Sequence, residues 1–128
     1  MLVFNNNEYI DEVKEKWGNT EAYKEEVLKT KDYSKEKFEN LEIEMNNIFA
    51  EFASCKNDGT LVNSEEVQNL VKKLQSHITE NYYNCTNDIL AGLGQMYVMD
   101  ERFKNNIDKN AEGTAEFVSK AIAIYCKK

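Results

Sequence analysis

An all-α bundle is the fold class that this 128-residue sequence predicts, and three observations carry it. There is no proline and there are only five glycines, so little in the chain interrupts a helix. Apolar residues recur at three- and four-residue spacing in segment after segment, and the two-residue alternation of a half-buried strand is missing. With 41% apolar residues over this length, the chain can fill one core, and one domain spanning residues 1–128 is expected.

The elements follow in order. From about Asn7 to Trp17, the residues Tyr9, Ile10, Val13 and Trp17 share one side of a helix and the charged residues share the other, with Gly18 available to end it. Thr20 caps a shorter helix carrying Tyr23, Val27 and Leu28, whose sparse apolar face cannot hold it in water without tertiary contacts. The N-terminal pair is therefore expected to be the mobile part. Ser34 opens the longest helix, with Phe38, Leu41, Met45, Ile48, Phe49 and Phe52 as its buried stripe.

The segment "KNDGTLVNS" breaks that helix with Asp-Gly turn chemistry and offers a new cap at Asn63 or Ser64. The next helix runs to about Asn81 on a stripe of Val67, Leu70, Val71, Leu74 and Ile78, with Gln68, Lys72, Lys73 and Gln75 outside. After the connection "NYYNCTNDIL", the stretch from Ile89 to Met99 is apolar on nearly every side, which predicts a helix in the middle of the bundle. Asp100 is placed to cap the following helix, where Phe103 and Ile107 face inward. Gly113 or Thr114 starts the last helix, carrying Phe117, Val118, Ala121, Ile122 and Tyr125.

Charge and cysteine usage exclude several functions. Sixteen Lys and Arg against 23 Asp and Glu give a formal charge of −7, which repels phosphate backbones and argues against direct contact with nucleic acid. No apolar run approaches the roughly 18 residues that cross a bilayer, and "MLVFNNNEY" is too short for a secretory signal, so a cytoplasmic chain with no membrane partner is expected. Three widely spaced cysteines and a single histidine fit neither a zinc site nor a disulfide framework. Neither a metal nor a cofactor is expected.

The informative feature is "GLGQMYVMDERF", where Gly92 and Gly94 interrupt the most apolar helix. A mid-helix glycine costs about 0.5–1 kcal/mol relative to alanine, so either another helix packs very close here or a ligand does. At about 100° per residue, Cys85, Ile89, Gly92 and Met96 fall on one face, with Asp88 at its edge, and Gly92 leaves a notch. Tyr82, Tyr83, Tyr97 and Phe103 crowd the same region, which suits adaptable apolar recognition as well as core packing. The residue types Cys85, His77 and Asp88 also match a thiol hydrolase, although no spacing places His77 beside Cys85, and no enzyme is expected.

Taken together, "YIDEVKEKWGNTEAY", "HITENYYNC", "LGQMYVMDERFKNNID" and "GTAEFVSKAIAIYC" resemble the TipAS antibiotic-recognition domain, the C-terminal effector domain of MerR-type transcriptional activators. The resemblance covers nearly the whole chain. It implies a globin-like bundle of about six or seven helices that holds bulky apolar antibiotics such as thiopeptides in a cleft between helices. It also implies that residues 1–33 form a lid, with Trp17 and Tyr23 on it, that orders over a core of residues 34–128.

On that basis the walls of the site would be Tyr82, Tyr83, Ile89, Met96, Tyr97 and Phe103, with Gly92 giving the space and His77 and Cys85 completing the contacts. Thiopeptide-capturing members of the family hold the ligand through a cysteine seven residues after the one matching Cys85. Here that position is Gly92, so non-covalent binding is expected, with a Cys85 thiolate as the alternative point of attachment. The winged helix-turn-helix and dimerising coiled coil of an intact regulator are not seen in the sequence. DNA binding and a homodimer are thus expected only through a domain missing from this chain, which by itself would be a monomer or weak oligomer. The rival readings are a helical protein-interaction module without a small-molecule ligand and, by fold analogy, a haem-binding globin using His77.

Overall fold

The computed structural model describes residues 20–127, and these form α1 (Glu21–Thr30), α2 (Lys35–Asn57), α3 (Glu65–Asn81), α4 (Asn87–Met99), α5 (Glu101–Asp108) and α6 (Thr114–Cys126), with no strand among the described residues. The expected helix from Asn7 to Trp17 lies outside them. The all-α expectation holds.

Each start is set by a cap. Thr20, Ser34, Ser64 and Thr86 accept a hydrogen bond from the amide three residues on, and Asp100 from that of Arg102. Such a side chain satisfies an amide left without an intrahelical partner and stabilises each helix by about 1 kcal/mol. Of the two candidates before α3 it is Ser64, not Asn63, that caps. Before α6 it is Gly113, in the left-handed region at φ 86°, that lets the chain turn into the helix.

The α2 stripe is buried as expected, from Leu41 through Met45, Ile48 and Phe49 to Phe52, and Phe38 is half-buried. It meets Val67, Leu70, Val71, Leu74 and Ile78 of α3, Phe103 and Ile107 of α5, and Ala115, Val118, Ala121 and Ile122 of α6 in one core. Among the described elements, α4 and α6 make the most extensive contact.

Three expectations need correction. Gln68 and Gln75 were placed outside, but Gln68 is buried, and its Nε2 donates to the carbonyls of Val62 (2.9 Å) and Ala121 (3.1 Å). Gln75 donates from Nε2 to Cys85 O (2.8 Å) and Asn87 Oδ1 (2.9 Å) and accepts from the Tyr125 hydroxyl at 3.0 Å. An amide that can donate twice and accept ties α3, α4 and α6 together, and apolar periodicity is blind to such a residue. The α1 helix is rotated from its expected orientation, because Val27 and Leu28 point outward at 46% and 70% exposure while Glu26 and Thr30 are buried. Finally, α4 is not enclosed on all sides, and that difference defines the site.

Candidate functional site

Thr86 fixes the start of α4, so Asn87 is its first residue. Leu90, Leu93, Gly94 and Tyr97 turn inward and are buried. Asp88, Gly92, Gln95 and Met99, at steps of four, three and four, form an exposed line along the outer side, with Met99 79% exposed. Ile89 and Met96 flank this line and are half-buried. Cys85 does not share the helical face as expected, since it precedes the cap and lies in the α3–α4 connection.

The two glycines have different causes. A Cβ on Gly94 would sit 3.0 Å from Cγ2 and 3.2 Å from Cβ of the buried Ile122, so this glycine lets α6 approach. A Cβ on Gly92 would meet nothing within 4 Å. The position of Gly92 is thus open, with Ile89 and Met96 one turn away on either side of it along α4.

The expected wall residues divide in two. Ile89, Gly92 and Met96 lie at the outer face of α4, while Tyr82, Tyr83, Tyr97 and Phe103 are buried in the core. Tyr97 meets Phe49 edge-on at a centroid distance of 5.7 Å and Phe103 at 5.9 Å. Burial pushes the Tyr97 hydroxyl well above the ordinary tyrosine range and does the same, with Glu26 adding to it, for Tyr82. Trp17 lies outside the described residues, and Tyr23 is half-buried on α1.

Cys85 and His77 form no catalytic pair. The Cys85 backbone N–H donates to Thr79 Oγ1 at 3.1 Å and its carbonyl accepts from Gln75. Burial pushes its thiol up to about 11, so the sulfur carries its proton at neutral pH and the thiolate considered above is not formed. His77 is buried, with Nε2 3.2 Å from Glu44 Oε2 and its ring 6.3 Å from that of Tyr82. Among the described residues, no group of three His, Cys, Asp or Glu side chains is arranged to hold a metal ion, and no helix is long and apolar enough to cross a membrane.

The α1 helix is seated on the end of α3 by polar contacts. Lys29 Nζ donates to Thr79 O at 2.8 Å, the Tyr33 hydroxyl donates to Asn81 O at 2.7 Å, and Glu25 Oε1 accepts from the Asn84 amide at 2.9 Å. The last turn of α3 holds no basic residue of its own, so Lys29 and Tyr33 satisfy carbonyls that the helix leaves unpaired. Outward of this seat, Leu28 sits among Glu21, Lys24, Glu25 and Lys29 in a shallow depression.

Sequence reasoning placed Asp88 at the edge of the Gly92 face and missed Gln95 and Met99 as members of the open line. The spacing of four, three and four puts them on one line with Gly92, but only the packing of α4 against its neighbours shows that this line faces outward.

Comparison with known proteins places the sequence and the fold in one family. The family model for the TipAS antibiotic-recognition domain matches residues 9–125. The HTH-type transcriptional activator TipA of Streptomyces coelicolor is 34% identical over 119 residues, covering 93% of this chain and 47% of the relative. The HTH-type transcriptional activator mta of Bacillus subtilis is 36% identical over 118 residues, 92% of this chain and 45% of the relative. The chain thus spans about half the length of these curated relatives. The solved structure of TipAS from Streptomyces lividans in complex with nosiheptide, a thiopeptide antibiotic, superposes with a TM-score of 0.88 at 33% identity, covering 97% of this chain and 87% of that one.

Proposed function

We propose, since this chain belongs to the family of TipAS antibiotic-recognition domains, that it is a drug-sensing effector domain that captures bulky apolar compounds reversibly. One observation carries the reading. A helix that the sequence would otherwise bury presents an open glycine on an exposed line flanked by the half-buried Ile89 and Met96, and Gly92 has no packing partner to account for it.

The mechanism is recognition without chemistry. Ile89, Met96 and Met99 offer apolar and polarisable surface, Gly92 lets a flat group approach the backbone, and the buried rings of Tyr97 and Phe103 keep the floor rigid. Tyr82, Tyr83, Cys85 and His77 hold the α3–α4 connection at the edge of that floor. The α1 helix, with Tyr23, is the lid: Tyr23 and Tyr33 pack on the core and the bonds of Lys29, Tyr33 and Glu25 hold its end, and ligand contacts that favour another position of the helix would shift it. In a full-length regulator, that movement would be relayed to a DNA-binding part in a homodimer.

Titration with nosiheptide tests the reading. Gly92→Leu fills the open space and should weaken binding at least tenfold while leaving the unfolding midpoint within a few degrees. Unaltered affinity in Gly92→Leu would remove the α4 face from the site.

A further inference from the structure

We infer that the α4 face selects lipophilic cations over anions. The inference rests on the Gly92 face being the binding surface and adds the charge of its guest.

From Asn87 to Met99, α4 contains one formally charged residue, Asp88, and no Lys or Arg. Asp88 is exposed, stands on the same outer line as Gly92 and Met99, and is in no ion pair among the described residues. Arg102, just beyond the far end of the line, pairs with Asp100 at 2.7 Å, and Lys104 pairs with Asp108. The carboxylate, in the first turn of α4, thus has no cationic side chain paired with it among the described residues, and it stands at one end of a face otherwise made of Gly92, Gln95, Met99, Ile89 and Met96.

Eleven helical steps lead from Asp88 to Met99, roughly 16 Å at about 1.5 Å per residue. That length fits a molecule with its positive group at Asp88 and its apolar body along the thioethers. The net charge of −7 adds a long-range potential of the same sign. An anion of equal size and hydrophobicity meets both the local and the global charge unfavourably.

Tetraphenylphosphonium and tetraphenylborate have the same shape and opposite charge, so equilibrium dialysis of the two against the folded chain isolates the electrostatic part. We expect the phosphonium to bind at least tenfold tighter at physiological salt and Asp88→Asn to reduce that ratio about threefold or more. Glu65→Gln removes a first-turn carboxylate from α3, ten residues before Gln75, whose side chain reaches Asn87, and it should leave the ratio unchanged. Equal binding of the two ions, or a ratio that Asp88→Asn does not move, overturns the inference. In that case the face itself survives if Gly92→Leu still weakens both ions. Absence of binding by either ion, or indifference of both to Gly92→Leu, refutes the binding surface and the charge preference together.

Discussion

Replacing each mid-helix glycine of α4 by alanine should have opposite effects. At Gly94, the new methyl would stand 3.0 Å from Ile122 Cγ2, 3.2 Å from its Cβ and 3.4 Å from its Cδ1. Ordinary carbon contacts begin near 3.5 Å, so α4 and α6 must separate by about half an ångström or Ile122 must leave its rotamer. Such overpacking costs about 1–3 kcal/mol, and the better helix propensity of alanine offsets about 0.5–1 kcal/mol of it. Gly94→Ala should therefore destabilise by up to about 2.5 kcal/mol. Gly92→Ala meets open space and should stabilise by about 0.5–1 kcal/mol through propensity alone.

Urea denaturation reads both as shifts in midpoint at constant slope, and thermal unfolding would separate the two variants by roughly 3–15 °C for a domain of this size. In a double-mutant cycle with Ile122→Ala, the Gly94→Ala penalty should largely disappear, because the methyl groups it strikes are gone. Equal and same-signed shifts for the two glycines, or no coupling to Ile122, would refute the assignment of one to packing and the other to an open face.

Other expectations follow from the same contacts. Gln75→Leu removes two donated bonds and one accepted bond at the meeting of α3, α4 and α6, and should lower stability by about 1–3 kcal/mol in the same urea assay. Thr86→Ala, which removes the α4 cap, should cost about 1 kcal/mol and speed amide exchange in the first turn of α4. The Cys85 thiol is raised by burial from 9.0 to about 11, so the folded chain keeps a proton that the unfolded chain sheds. That contribution is intact below pH 9 and lost as pH rises towards 11, so Cys85→Ala should show a shallower alkaline decline of stability than the parent chain over this window. Tyr33→Phe removes the 2.7 Å bond to Asn81 O and should raise amide exchange throughout α1 while the core of α2 and α6 stays protected.

Much of the fold was legible because apolar periodicity and capping chemistry act locally. The α2 stripe from Leu41 to Phe52, the inward Phe103 and Ile107, and the caps Thr20, Ser34 and Asp100 all stand where the pattern put them. What escaped was decided by tertiary partners. Gln68 and Gln75 are drawn inward by carbonyls of distant segments that no hydropathy pattern encodes. The α1 helix turns Val27 and Leu28 outward because its seat on α3 is polar, through Lys29, Tyr33 and Glu25. Gly92 and Gly94 look alike in sequence, and only the position of Ile122 tells them apart.

The claim that the outer face of α4 receives the guest is most directly tested through the methionine methyl groups. The chain has four methionines, among them Met45 buried in the core and Met96 and Met99 beside Gly92 on α4. With 13C-methyl labelling, saturating nosiheptide should shift the Met96 and Met99 resonances and give contacts from the ligand to both, while Met45 stays in place. Binding that leaves Met96 and Met99 unmoved would contradict the account.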